Sequence, residues 1–85
     1  IDRKELVDIL FFSHGRVCTG PFMPNSFAFN EKVKVPKKDL KKAKELLKEA
    51  GYDKNNPFEF EIATNSNNSI RLYAAQILQH QLSKI

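Results

Sequence analysis

Asn65, Ser66, Asn67 and Asn68 form an unbroken polar run. Carboxamides and a hydroxyl donate and accept hydrogen bonds, so the chemistry this run can do is binding. Its place in the chain adds weight. An alternating segment ends just before it at Thr64 and a helical pattern begins just after it. In open α/β sheets ligands bind at such a point, where a strand ends and the amides of a loop and a helix N-terminus face outward. A plain turn with a helix cap uses the same residue types, and both readings stand at this stage.

Other chemistry finds little footing. No nucleophile sits in a recognisable elbow and no glycine-rich phosphate loop follows a strand. Glu59 and Glu61 fall on the polar side of an alternating segment. Catalysis is not expected, and no cofactor is implied. His14 and His80 are far apart with no cysteine or carboxylate pattern around them, so no metal site is expected either. Cys18 is the single cysteine, which excludes an internal disulfide and reads as a small, partly buried apolar residue.

The charge is moderately basic, +4, and eight of the eleven lysines fall between Lys32 and Lys48. On a helix, Lys41, Lys42, Lys44 and Lys48 lie off the apolar stripe, with Glu45 three or four residues from Lys41, Lys42 and Lys48. That is a solvated face. A nucleic-acid module would interleave aromatic residues with the basic ones, and none lies between Lys32 and Lys48. No apolar run is long enough to cross a membrane, and no targeting signal is visible.

The elements that must position the polar run read clearly. Asp2 to Phe12 is a helix opened by Asp2 with Glu5 three residues on. Leu6, Ile9 and Leu10 make its stripe, while Val7, Phe11 and Phe12 put bulk elsewhere, so it expects burial on several faces. Ser13 to Lys38 is a long irregular stretch broken by glycine and proline, with Phe22, Phe27 and Phe29 expected to pack. Asp39 to Ala50 is the clearest helix, with Leu40, Ala43, Leu46, Leu47 and Ala50 on one face and Gly51 as its stop. Phe58 to Thr64 alternates as a strand with one buried face. A last helix, capped by Asn68 or Ser69, runs to the end with Ile70, Ala74, Ile77, Leu78, Leu82 and Ile85 in register.

The predicted order is helix, long loop, helix, strand, helix, an α/β arrangement whose one strand has nothing to pair with. Eighty-five residues bury only a modest core. The start at Ile1 and the unterminated helical pattern at Ile85 point to a piece of a longer chain. Partner strands then lie outside it, or two copies pair through Phe58–Thr64 or cover Phe11, Phe12, Leu72 and Tyr73.

A resemblance covers the whole chain. Ile1-Asp2-Arg3-Lys4-Glu5-Leu6-Val7 resembles a helix start of the family 5 extracellular solute-binding proteins. Gly20-Pro21 with Pro24, followed by Phe29-Asn30, is similar to their Gly-Pro loop. Lys42 to Tyr52 closely resembles their helix ending in alanine, glycine and tyrosine, and Ala75-Gln76-Ile77-Leu78-Gln79 resembles another. Leu40 departs from a proline common there, with Asp39 still able to cap.

The resemblance implies a bilobed periplasmic-binding-protein fold, with residues 1–85 a partial domain from its C-terminal lobe. It implies an oligopeptide, dipeptide or nickel-binding component of an ABC transporter, at the periplasmic or extracellular face of the cytoplasmic membrane. Lipid anchoring is left open. The expected partners are a peptide or related small solute and the transporter's permease, with no nucleic acid. Asn65, Ser66, Asn67 and Asn68 would then hydrogen-bond a peptide backbone. Some dipeptide-selective relatives use an arginine in this loop, and the run 65–69 has none. The alternative is a small free-standing basic module for nucleic acid or another anionic partner.

Overall fold

Each helix begins where a short polar side chain can take a backbone N–H that the helix itself leaves unbonded. Asp2 accepts from Glu5 N at 3.0 Å, Asp39 from Lys42 N at 2.9 Å and Asn68 from Arg71 N at 3.0 Å. The computed structural model describes residues 1–85, and these three caps open α1 (Arg3–Phe11), α2 (Leu40–Glu49) and α3 (Ser69–Leu82). Residues 2–37 make one unit, and residues 38–85 with Ile1 make a second.

In the first unit, α1 ends at Phe12, which is left-handed (φ 51°, ψ 41°), as is Ser13 (φ 64°). Two local bonds hold this turn: His14 N donates to Phe11 O at 2.8 Å, and Ser13 Oγ donates to Asp8 Oδ1 at 3.0 Å. Asp8 also pairs with Lys4 one turn earlier. The Lys4 hydrogen bond, with that from Ser13, holds the Asp8 carboxyl below its ordinary range, and Asp8 raises the Lys4 ammonium in turn. A Cβ at Gly15 would come within 3.1 Å of Val7 Cγ1, so the chain leaves the helix close against its side.

The following stretch is irregular, as expected. Turns close at Ser26, Phe29 and Val33, where N–H groups bond the carbonyls of Met23, Ser26 and Asn30. Arg3 Nη1 donates to Pro36 O at 3.4 Å, which ties the end of the stretch to the start of α1. Of its aromatics only Phe29 is half-buried, with the Arg16 guanidinium 6.0 Å from its ring centre. Phe22 and Phe27 stand exposed, Phe27 fully, contrary to the expectation that they pack. Cys18 is exposed too, not partly buried.

In the second unit, α2 closes as its glycine predicts. Gly51 takes φ 91°, and Tyr52 N and Gly51 N bond back to Leu47 O and Lys48 O. Asp53 then accepts from the N–H groups of Asn55 and Asn56, and Asn56 Nδ2 donates to Gly51 O, which turns the chain toward Phe58. The Tyr52 ring meets Phe58 edge-on at 5.0 Å, and Phe60 lies 5.5 Å from Phe58 on the same side. α3 stops at Leu82, where Ser83 caps it, three residues before the end that its periodicity predicts.

The strand expected over Phe58–Thr64 is not formed. The chain has three helices and no strand, in place of helix, loop, helix, strand, helix. No backbone hydrogen bond engages residues 58–64. Phe58, Phe60 and Ile62 keep their alternation but are 54%, 55% and 44% exposed. A ladder needs a second backbone, and none within 1–85 reaches this segment. Beside it, an open groove of about 910 Å³ is lined by Phe60, Ile62, Ala75, Gln79 and Leu82.

No hydrophobic residue in the chain is buried, and Gln81 alone reaches that state. The accessible surface is 7532 Å², against roughly 5,200 Å² for a compact monomer of this mass. The helices are therefore bounded by their caps and stops and packed only through half-buried side chains such as Leu6, Leu47 and Ile77. Gly51→Ala forces a Cβ into the left-handed region and is expected to cost the end of α2 about 1 kcal/mol, read as lost helix content by circular dichroism. Gly20→Ala, at a position with open space and ordinary φ, should leave the signal unchanged.

Candidate functional site

The polar loop lies where its neighbours place it: after the alternating segment and against the first turn of α3. Asn68 Oδ1 takes Arg71 N, which starts the helix. Residues 66 and 67 form the turn. Asn65 Nδ2 donates to Asn67 Oδ1, so a side-chain bond spans the turn. Thr64 Oγ1 adds a longer bond to Asn65 Oδ1 at 3.4 Å. Asn65, Ser66 and Asn67 are exposed and Asn68 is half-buried.

One residue from the following helix, which the loop's own sequence does not announce, joins them. Arg71 lies three residues past the cap, and its Nη1 donates to Asn65 Oδ1 at 3.1 Å. The run 65–69 holds no arginine, yet the helix that follows returns one to it. The signal was available: a first-turn side chain long enough to fold back over the loop that precedes its helix. Arg71 makes no ion pair. The site is thus exposed, uncharged apart from one guanidinium, and able to hold a polar solute by hydrogen bonds. It contains no nucleophile with a base beside it.

The remaining candidates stay apart. His14 and His80 are exposed, and no group of three or more His, Cys, Asp or Glu is arranged to hold a metal. Lys41, Lys42, Lys44 and Lys48 project from α2 into solvent, and Glu45 forms no ion pair with them. No helix is long and apolar enough to cross a membrane.

Comparison with known proteins matches residues 1–85 to the model of "Bacterial extracellular solute-binding proteins, family 5 Middle". The chain is 33% identical over 97 aligned positions to an oligopeptide-binding protein, AppA, of Bacillus subtilis. It is 35% identical over 85 positions to a glutathione-binding protein, GsiB, of Escherichia coli, and 33% identical to that of Pectobacterium atrosepticum. All of this chain is covered in each case, but it spans only 16–18% of those relatives' length. No solved structure matches it significantly. The free-standing basic module finds no support in these matches.

Asn68 serves α3 as a cap whatever else it touches. Asn68→Ala is expected to weaken the first turn by about 1 kcal/mol, seen as roughly fivefold faster amide exchange at Arg71. Asn68→Asp keeps the acceptor and suits a helix N-terminus, so exchange there should be no faster than in the natural chain. Equal exchange in all three would contradict the cap.

Proposed function

The chain belongs to family 5 of the bacterial extracellular solute-binding proteins, and on that premise we propose that it is part of a receptor for peptides or similar solutes. The receptor works outside the cytoplasmic membrane, at its periplasmic or extracellular face, and passes its solute to an ABC-transporter permease. It acts by binding and lobe closure, without covalent chemistry. The observation that carries this reading is the family match along the entire chain.

Within that reading, residues 1–85 are a partial domain of the C-terminal lobe of an α/β, bilobed protein. Strands from elsewhere in the lobe pair with Phe58–Thr64. The exposed row of Phe58, Phe60 and Ile62 supports this, because an alternating apolar row on an unpaired backbone is a strand awaiting a sheet. In isolation the same segment favours self-association. Asn65, Ser66, Asn67 and Asn68 contribute hydrogen bonds to the solute from the loop before α3. They form one wall of a site whose other walls lie outside this chain.

Calorimetry on the full-length receptor should show one-to-one binding of a short peptide or of glutathione. The 85-residue chain alone should show weak binding or none, because binding sites bury most of a ligand's surface and an open loop cannot. Tight one-to-one binding by the isolated chain would contradict the partial-site reading. Failure of the full-length receptor to bind any peptide or glutathione would overturn the receptor reading.

A further inference from the structure

Three asparagines in the chain stand directly before a serine: Asn25, Asn65 and Asn68. In such a pair the serine's backbone nitrogen can attack the asparagine Cγ and expel the side-chain amide. The serine N–H must be free to give up its proton, and the carboxamide must be polarised for attack. The three pairs differ in both respects. Ser26 N is engaged, donating to Met23 O at 2.9 Å, and no donor meets the Asn25 amide. Asn68 Oδ1 holds Arg71 N, so closing a ring there would pull that oxygen off the start of α3.

Asn65 meets both requirements. Ser66 N bonds no carbonyl in the chain, and both residues are exposed. A guanidinium donates only, so the Asn65 atom facing Arg71 Nη1 at 3.1 Å is its oxygen. Thr64 Oγ1 reaches the same oxygen at 3.4 Å. Two donors on one carbonyl oxygen, one of them charged, stabilise the negative charge that develops there under attack. The arginine side chain has torsions enough to follow that oxygen as the ring closes, which a backbone N–H does not. We propose that Asn65 is a deamidation site and that Arg71 activates it.

Hydroxide takes the Ser66 N–H proton, an N–Cγ bond forms, and the Cγ–Nδ2 bond breaks as water protonates the departing ammonia. Water then adds to one carbonyl of the cyclic imide and opens it to aspartate or isoaspartate. In the aspartate product a carboxylate faces Arg71, and a charge-assisted pair cancels the loop's one positive charge. The modification goes beyond solute binding and does not depend on the receptor reading.

The test follows each asparagine by peptide mass spectrometry while the full-length protein is held in mildly alkaline buffer. Asn65 is expected to convert about tenfold faster than Asn25, which has the same neighbour but neither advantage. Arg71→Met should slow Asn65 by about fivefold and leave Asn25 unchanged, with Thr64→Val slowing it less. Helix content by circular dichroism checks that the variants fold. Faster conversion of Asn65 in Arg71→Met would show that the arginine only restrains the amide, and would overturn the proposal. So would an Asn65 no faster than Asn25 in the natural protein, or an equal change at both asparagines in the variant.

Discussion

A β-ladder is a contract between two backbones, and the segment Phe58–Thr64 brings only one. Its amides and carbonyls face no partner, and its apolar row of Phe58, Phe60 and Ile62 stays half in water. Covering such side chains is worth about 1.5–3 kcal/mol apiece. No single helix cap in this chain, at about 1 kcal/mol, matches that. The largest stabilising terms written into the sequence are therefore the ones these 85 residues cannot realise alone. The same holds for Phe11, Phe12 and Tyr73, which remain exposed on α1, its C-cap and α3. The structure is a set of well-started, well-stopped local elements whose outer faces stay open to water.

That division explains what was legible in the sequence. Caps act across three residues, so Asp2, Asp39 and Asn68 announce their helices and the structure bears them out within a residue or two. Gly51 announces its stop for an equally local reason: only a residue without Cβ takes φ 91° at little cost. Burial is not local. Phe22, Phe27 and Cys18 read as packing residues by type, and each stands exposed because nothing within residues 1–85 covers it. The strand failed for the same reason, although its alternation was plain. α3 stops at Leu82 because Ser83 Oγ can bond His80 O, a local competitor that an apolar register running on to Ile85 does not reveal.

The candidate site divides along the same line. Its residue types and its position between an alternating segment and a helix were readable, and the loop is where they placed it. The bond from Arg71 to Asn65 is not legible in the loop's own residues, because the side chain returns to it from the helix that follows. The bond turns the Asn65 oxygen toward Arg71 and its Nδ2 toward Asn67, which closes the loop on itself.

In the proposed receptor, Phe58–Thr64 belongs in a sheet completed from elsewhere in the larger protein. Amide hydrogen exchange across residues 58–64, measured in the isolated chain and in the full-length receptor, tests it most directly. Nearly unprotected amides are expected in the isolated chain at a dilution that keeps it monomeric, and exchange slowed by orders of magnitude in the full-length protein. Equally fast exchange of this segment in both would contradict it.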